Sequence, residues 1–423
     1  MSQSFAELLN RDCQCISIDH AALERATHLL LDGSGVKLPS WAESSLFAAV
    51  PVFVSSDQIA RMRDVVVAVN AVVSSPQYQE IVLTRAPEIA RHPVRHESVF
   101  FGFDFHLSTN GPQLIEINTN AGGPLLNFFL AKAQQACCEE ARRLTVAGHG
   151  GGELDREFVE MFRKEWALAD LQRPLHTIAI VDDAPETQFL HPEFLLFREL
   201  FRQSGFQAFV VAPEDLRFEA GALCYAGRRI DLVYNRLVDF YLQQPSHEPL
   251  RTAYLSNSAV ITPHPRAHAL YADKRNLIEL RDVELHRQIG LSQQHSDLLV
   301  SHIPETQVVD AADAERLWSE RKQWFLKPIH GYGGKAAYRG DKLTRGTFQE
   351  ILRHEYVAQR VIAPSQRHVM VEGSVVPLKL DIRCFVYGTD VQLIAARLYH
   401  GQTTNFRTAG GGFAPVYTAT EPT

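Results

Sequence analysis

The chain has 423 residues, of which 45% are hydrophobic and 22% are charged, and its formal net charge is −7. This composition is typical of a soluble globular protein, and the length indicates several lobes. No run of Lys or Arg could form the basic stripe that nucleic acid requires, which excludes a nucleic-acid partner. No apolar run approaches the ~20 residues that span a bilayer. The N-terminus lacks a signal-peptide pattern. We therefore expect a cytoplasmic protein without a membrane partner.

Residues 1–150 are expected to combine helices with one pair of strands. Apolar residues recur at helical spacing over 21–31 and 57–73, and a further helical stretch is predicted over 124–144. A glycine-rich loop at 148–152 marks the predicted end of this part. The six cysteines have no zinc-binding spacing, so reduced thiols are expected.

Residues 151–270 predict a parallel α/β unit. A buried strand at 176–181 is followed by an amphipathic helix at 193–203, and further strands are predicted at 206–211 and 231–234. The order strand, helix, strand is typical of parallel sheets. Because no GxGxxG motif follows the first strand, this unit does not predict a dinucleotide site.

The part that follows residue 300 alternates between strands and turns, with strands predicted at 324–327, 356–362, 382–386 and 392–397. The first of these strands leads into a loop with three glycines, 331–334. Successive backbone N–H groups in such a loop can bind phosphate oxygens. Residues 336–339 read as a return strand, which predicts a hairpin and excludes a Walker A loop. A plain surface hairpin remains the alternative.

Residues 102–118 predict a second hairpin. The register of its two strands decides whether Asp104 lies on the same face as Glu116 and Asn118. Glu116 and Asn118 are two residues apart and point the same way, with Ile115 and Ile117 directed into a core. A two-residue turn at 110–111 would set Asp104 opposite Ile117. A three-residue loop at 109–111 sets it opposite Glu116 and suits a left-handed glycine at its end. We predict the three-residue loop.

The predicted register brings Asp104, Glu116 and Asn118 onto one face of the hairpin. The two carboxylates repel each other unless a cation lies between them. Oxygen-only ligands favour a hard ion, Mg²⁺ or Mn²⁺. These residues are therefore the candidate metal ligands, with a solvated polar face as the alternative.

Together these segments resemble the ATP-grasp superfamily of carboxylate–amine ligases. Residues 326–334 resemble the phosphate-binding lysine and lid, 356–362 the hinge strand at adenine, and 381–386 the DIR strand. Arg397 with 404–407 and 410–412 resembles the arginine, asparagine and glycine pattern of the peptide-ligase branch, and 273–274 an earlier ATP-contacting lysine. The metal hairpin usually comes last but comes first here. This order resembles the circularly permuted, glutathionylspermidine-synthase-like members.

The resemblance implies an α/β fold with α+β lobes, the ATP-grasp fold in circularly permuted order. Residues 1–150 would hold a helical segment and the metal-binding part of the core, and 151–270 a central pre-ATP-grasp-like α/β domain. Residues 271–362 would form the lid lobe. Residues 363–423 would supply core strands that pack with 90–125.

The implied activity is that of an ADP-forming ligase, which uses ATP and magnesium to activate a carboxylate as an acyl phosphate for attack by an amine. Two alternatives stay open: an ATP-grasp small-molecule kinase and a non-catalytic ATP-binding protein. The implied partners are a small carboxylate and an amine, such as an amino acid, a peptide or a polyamine. A homo-oligomer is left open.

The resemblance also implies roles for individual residues. The implied ATP contacts are Lys274, Lys327, Gly331, Gly333, Gly334, Gln359 and Val361. The implied catalytic residues are Arg383, Arg397 and Asn405. Asp104, Glu116 and Asn118 would hold two Mg²⁺ ions, with Mn²⁺ as the alternative ion, and Glu116 would bridge them. Arg236 would bind a substrate carboxylate, although a structural ion pair explains it equally well. Cys384 is expected to face away from Arg383, in a core.

Overall fold

The computed structural model describes residues 4–38, 40–41, 44–136, 145–146, 154–331, 334, 336–405 and 408–419. The predicted loop at 148–152 and Gly333 lie outside the described residues. The helices are α1 (Phe5–Asp12), α2 (His20–Leu31), α3 (Ser56–Val73), α4 (Pro76–Arg85), α5 (Pro124–Lys132), α6 (Leu154–Ala169), α7 (His191–Gln203), α8 (Glu248–Leu255), α9 (Pro265–Ala267), α10 (Asn276–Glu279), α11 (Val283–Gln288), α12 (Gln293–His302), α13 (Ala314–Ser319) and α14 (Arg345–Ile351). The strands are β1 (Ile16–Ile18), β2 (Val52–Ser55), β3 (Phe101–Ser108), β4 (Gly111–Asn118), β5 (Gln134–Ala136), β6 (Thr145–Val146), β7 (Thr177–Val181), β8 (Gln207–Val211), β9 (Leu216–Glu219), β10 (Ala222–Tyr225), β11 (Arg228–Arg229), β12 (Leu232–Asn235), β13 (Val260–Thr262), β14 (Thr306–Val308), β15 (Trp324–Pro328), β16 (Tyr338–Arg339), β17 (Tyr356–Arg360), β18 (Gln366–Val371), β19 (Ser374–Tyr387), β20 (Asp390–Tyr399) and β21 (Gly412–Ala419).

The largest sheet joins strands from both halves of the chain. Its order is β2-β21-β20-β19-β3-β4, with β18 beside β19 and β6 beside β21. The antiparallel pairing of β3 with β19 sets Asp104 opposite Arg383. Ile382 and Cys384 point into a buried core on the side of α3. Because successive strand residues face opposite sides, Arg383 points to the other face, and the prediction for Cys384 is confirmed.

The hairpin β3–β4 has the predicted pairing of Asp104 with Glu116 but not the predicted loop. Ser108 pairs with Gly111, so the turn contains only Thr109 and Asn110. The register then shifts by one residue between Asp104 and Phe105. The three-residue loop was therefore wrong, and a β-bulge at Ile115 restores the pairing that the loop was expected to create.

The central sheet is parallel, as predicted, and has the order β13-β12-β7-β8. Helix α7 follows β7 and packs against β8. The predicted helix over 124–144 is too long, because α5 ends at Lys132 and the chain continues as β5. Residues 137–144 lie outside the described residues.

The third main sheet is antiparallel and has the order β14-β17-β15-β16. Strands β15 and β16 flank the glycine loop and pair through Phe325 with Arg339 and Leu326 with Tyr338. The prediction of a hairpin rather than a strand that enters a helix is confirmed. One side of the sheet packs against α13 and α14 around Trp324 and Phe348. None of the described helices combines the length and the apolar character needed to cross a membrane.

A buried arginine connects the N-terminal segment to the largest sheet. Arg367 in β18 has no exposed surface. Its guanidinium donates to the carbonyl oxygens of Asn10, Cys13, Pro51 and His368. Burial lowers the pKa of Arg367 to about 10. The side chain therefore satisfies backbone acceptors of the first 51 residues that have no sheet partner of their own.

We expect the Arg367→Ala variant to unfold with a free energy about 3 kcal/mol lower than that of the unchanged protein, because it leaves buried carbonyl groups unpaired and opens a cavity. Urea unfolding followed by circular dichroism measures the difference. Arg353→Ala removes an exposed arginine that pairs with Glu350 and serves as the control. Equal urea midpoints for the two variants would contradict the anchoring role.

Candidate functional site

A cavity of about 610 Å³ lies between the glycine-loop hairpin and the largest sheet. Most of the predicted site residues line it: Asp104, Glu116, Asn118, Lys274, Lys327, Gly331, Gly334, Gln359, Val361, Arg383, Arg397 and Asn405. Arg236 is not among the lining residues, and Gly333 lies outside the described residues. A larger cavity of about 1000 Å³ is lined by none of the predicted site residues.

Asp104 is buried and binds two arginines. Arg383 donates from Nε to Oδ1 and from Nη2 to Oδ2, both at 2.7 Å. Arg397 donates from Nη2 to Oδ2 at 2.9 Å, and Asn118 donates from Nδ2 to the same oxygen at 3.0 Å. Burial acts to raise the pKa of Asp104, but the two guanidinium groups outweigh it and hold this pKa below its usual value. In this arrangement the positive charge beside Asp104 comes from arginine.

The same two arginines keep donor groups for a ligand. Arg397 uses its Nε for Asp381, at 2.7 Å, and its Nη2 for Asp104. Arg383 uses its Nε and Nη2 for Asp104. Within the described part of the chain, the Nη1 group of each arginine has no acceptor, and both side chains line the cavity. Two fixed guanidinium groups with free N–H donors are suited to bind a phosphoryl group.

Lys327 is held at the end of β15 by neutral oxygens. Its Nζ donates to the backbone oxygen of Ile115 at 3.0 Å and to Oε1 of Gln359 at 2.8 Å. Ile115 is the bulged residue of β4, and it lines the cavity instead of entering the core as predicted. Burial lowers the pKa of Lys327 to about 8, against the opposing effect of Glu116. This ammonium forms no ion pair with the described residues, so a bound anion would supply a partner that it lacks.

Lys274 connects the hairpin β3–β4 to the glycine loop. Its Nζ lies 3.7 Å from Oε1 of Glu116 and donates to the backbone oxygen of Gly331 at 2.6 Å. On the other side of the loop, a Cβ at Gly334 would come within 2.7 Å of Thr403, and the φ of Gly334 is +68°. Only glycine fits this close approach in a left-handed conformation. The glycine-loop hairpin β15–β16 therefore approaches both Lys274 and the segment around Thr403, which follows β20 of the largest sheet.

The residues present fit a magnesium ion only in part. The side chain of Glu116 makes no hydrogen bond within the described residues, and the Oδ1 atom of Asn118 accepts none. Oδ2 of Asp104 already accepts three donors, so Asp104 has only Oδ1 to offer. The described part of the chain contains no group of three His, Cys, Asp or Glu side chains arranged around one point. Mg²⁺ needs only one or two protein carboxylates when phosphates and waters complete its coordination shell. The free oxygens of Glu116 and Asn118 fit this requirement.

The loop that follows Asn118 is fixed by the central sheet. Glu193 is buried and accepts the backbone N–H groups of Gly123 at 2.8 Å and Leu125 at 3.0 Å, at the start of α5. Arg236 is also buried and donates from Nη1 to the backbone oxygen of Asn120 at 3.0 Å. Its guanidinium lies near the rings of Phe194 and Tyr234. These contacts place Arg236 behind the loop, and its role in substrate binding stays a prediction.

Several cavity residues were not predicted. Asp381 orients Arg397 and accepts the hydroxyl of Thr404. His106 and Phe189 also line the cavity. The alternation of β3 could have identified His106, because it lies two residues from Asp104 and shares its face. Asn405 is exposed and donates to the backbone oxygen of His400 at 2.8 Å, and its catalytic role stays a prediction.

Comparison with known proteins identifies a shared fold. No protein-family model matches the chain, and no curated protein matches it significantly. The chain is similar to a glutathione synthetase-like effector from Globodera pallida in its apo form, with a TM-score of 0.58, 11% identity, and coverage of 99% of this chain and 98% of that chain. At this identity, the similarity shows that the two proteins share a fold.

Two other similarities are weaker. A putative gamma-glutamylcysteine synthetase from Methylobacillus flagellatus KT has a TM-score of 0.47 and 10% identity, with coverage of 85% of this chain and 87% of that chain. The ATP-grasp ligase PsnB in complex with a minimal precursor, Mg and ADP has a TM-score of 0.29 and 15% identity, with coverage of 56% of this chain and 87% of that chain. These two scores are too low to add to the assignment of the fold.

Proposed function

We propose that the protein is an ADP-forming ATP-grasp ligase, which activates a carboxylate as an acyl phosphate and transfers the acyl group to an amine. The observation that carries this proposal is the half-buried Lys327 ammonium, which has only neutral acceptors among the described residues, in a cavity that Lys274, Arg383 and Arg397 also line. A buried cation without a counter-charge is costly. A polyphosphate in this cavity would supply the missing negative charge and would reach the backbone of the glycine loop.

The chemistry needs positioned cations more than a nucleophilic side chain. An oxygen of the substrate carboxylate attacks the γ-phosphorus of ATP, the bond to ADP breaks, and an acyl phosphate forms. The nitrogen of the amine then attacks the acyl carbon, inorganic phosphate leaves, and a proton is lost as the amide forms. Such phosphoryl transfer is accelerated mainly by orientation and by charge neutralisation. The free Nη1 donors of Arg383 and Arg397 are the groups we assign to the transferred phosphoryl group.

Glu116 and Asn118 are the residues that would hold magnesium, because their oxygens are free of other donors. The metal would neutralise charge on the β- and γ-phosphates when it is bound. Asp104 would contribute at most one oxygen, because its other oxygen is committed to Arg383, Arg397 and Asn118. Two Mg²⁺ ions, and Mn²⁺ as a substitute, remain part of the proposal.

The carboxylate substrate would lie between this cavity and the central sheet. The loop 119–123 separates Arg236 from the hairpin, and Arg236 already holds the backbone of Asn120. Parallel sheets bind ligands at the carboxyl ends of their strands, and Arg236 directly follows β12. We assign a substrate carboxylate to Arg236 on this basis. The acceptor would be a small amine, in the form of an amino acid, a peptide or a polyamine, and we expect the reaction to take place in the cytoplasm.

The order of segments supports a circularly permuted version of the fold. The hairpin β3–β4 comes before the sheet β14-β17-β15-β16 in the chain, and it pairs with β19, which comes after that sheet. The two halves of the cavity wall are therefore supplied by opposite ends of the chain. In the unpermuted order, the metal hairpin would come after the strand that carries Arg383.

A substrate panel tests the proposed activity. Amino acids, short peptides and polyamines are incubated in pairs with the protein, ATP and Mg²⁺, and ADP formation is followed together with the masses of the products. ADP formation that needs both an acid and an amine, with a new amide, supports the ligase. A phosphorylated product without an amide would replace the proposal by a kinase. ATP binding without any ADP formation across the panel would favour a non-catalytic nucleotide-binding protein.

We expect the Lys327→Met variant to bind MgATP about 30-fold more weakly than the unchanged protein, because the side chain keeps its length but loses the charge that faces the phosphates. Isothermal titration calorimetry measures the two dissociation constants. Lys322→Met, which removes an exposed lysine outside the cavity, is the control. Equal affinity in the two variants would show that Lys327 does not contact the nucleotide.

A further inference from the structure

His106 lines the cavity next to the segment 356–362, which the family resemblance assigns to adenine. It shares a face of β3 with Asp104, about 7 Å further along the strand. Its imidazole packs beside the end of β17, and its Nδ1 lies 2.9 Å from the backbone oxygen of Ile362. His106 lines the cavity together with Val361 and Ile362. An aromatic side chain with a polar edge therefore faces the segment that follows the hinge strand.

The hydrogen bond to Ile362 determines which nitrogen of the ring carries a proton. A backbone oxygen can only accept, so Nδ1 is the donor and carries the hydrogen. In this tautomer of the neutral ring, Nε2 holds a lone pair and can accept a hydrogen bond. Nε2 has no hydrogen-bond partner among the described residues, and it is not one of the buried atoms, so part of its surface is accessible. It is therefore open to the cavity as an acceptor.

Several side-chain and backbone groups near this nitrogen are already engaged within the protein. The amide of Gln359 is used on both sides, because Oε1 accepts from Lys327 and Nε2 donates to Thr306. The backbone N–H of Arg360 donates to the oxygen of Glu305, and that of Val361 donates to the oxygen of Gln323. These donors of the hinge strand are thus engaged within the protein. The Nε2 atom of His106 is an uncommitted side-chain acceptor beside this strand.

We propose that His106 selects a 6-aminopurine nucleotide by accepting a hydrogen bond from the exocyclic amino group at Nε2. The proposal rests on the proposed function, since it needs a nucleoside triphosphate in this cavity. A 6-oxopurine would place its oxygen against the lone pair of Nε2. Two acceptors that face each other repel and leave a polar group without a partner, which disfavours the oxo base.

Binding of MgATP and MgITP by the full chain at pH 8 tests this proposal, because these nucleotides differ in the 6-amino and 6-oxo groups and the proton at N1. We expect the unchanged protein to bind ATP about 30-fold more tightly than ITP. In the His106→Phe variant, which keeps a ring but removes the acceptor, this ratio should fall below about 5-fold. In the His106→Gln variant, whose amide oxygen can accept, part of the preference should return.

The outcomes separate this proposal from the proposed function. Weak binding of both nucleotides by the unchanged protein would overturn both. Tight ATP binding with a ratio that is near one in the unchanged protein, or the same in the His106→Phe variant, would overturn the role of His106 alone. The Lys327→Met variant supplies the matched control, because loss of a phosphate contact should weaken ATP and ITP equally and leave the ratio intact.

Discussion

Replacement of Glu116 by glutamine should reduce ATP turnover by at least about 10³-fold, while the free energy of unfolding stays within about 0.5 kcal/mol of that of the unchanged protein. Glu116 is 30% exposed and has one ionic neighbour, Lys274, at 3.7 Å. Asp104 and Asp381 are held by arginines, so Glu116 is the carboxylate of the site that is free to meet a metal ion. Its replacement removes the ligand and one long ionic contact to Lys274, whose ammonium keeps its hydrogen bond to the backbone oxygen of Gly331. Glu116→Ala should act in the same direction.

ADP formation with a productive substrate pair measures the first effect, and urea unfolding measures the second. Glu284→Gln changes an exposed glutamate on α11, far along the chain from the hairpin, and should leave turnover unchanged. Mn²⁺ binding in the presence of a non-hydrolysable ATP analogue, followed by electron paramagnetic resonance, should weaken in Glu116→Gln only. Turnover near that of the unchanged protein in Glu116→Gln would refute the metal assignment and leave the arginine pair as the main catalytic feature.

The hairpin around Glu116 shows how far sequence alone could go. The two strands and their facing residues followed from alternation, a local property. The position of the extra residue did not, because a turn and a bulge can compensate each other and both leave Asp104 opposite Glu116. The bulge has its own consequence: it turns the oxygen of Ile115 toward Lys327. A contact between β4 and β15 cannot be read from either segment alone.

The contacts of Asp104 are a second feature that the sequence alone could not predict. The sequence predicts that a metal ion offsets the repulsion between Asp104 and Glu116, because the facing of these two carboxylates follows from local alternation. The structure shows that Arg383, which lies 279 residues away in the chain, supplies positive charge at the same point. Resemblance to a family located both residues in one site, but alternation and spacing could not show that they pair. The lining residues were therefore more predictable than their partners.

Replacement of Asp104 by asparagine should lower the free energy of unfolding by roughly 3 kcal/mol, because it leaves the buried guanidinium groups of Arg383 and Arg397 short of negative charge. Removal of one partner from a buried ion pair costs more than the pair contributes, since the remaining charge stays desolvated. Asp381 still binds Arg397, so Arg383 is the group that is left without a carboxylate. Turnover should fall at least about 10²-fold, because the Nη1 donors lose their fixed orientation.

Urea unfolding in EDTA, without nucleotide, separates the two tasks that Asp104 can have. If Asp104 anchors the arginines, Asp104→Asn is destabilised without any metal, whereas Glu116→Gln under the same conditions is not. If Asp104 served only as a metal ligand, both variants would unfold like the unchanged protein in EDTA and would differ from it only when Mg²⁺ and ATP are added. Asp390→Asn, an exposed change at the start of β20 in the same sheet, controls for the loss of one carboxylate. The Asp104 carboxylate is buried and accepts four hydrogen bonds, so loss of its charge must lower the stability if it anchors the arginines. Equal stability of Asp104→Asn and Asp390→Asn in EDTA would therefore contradict the arginine anchor.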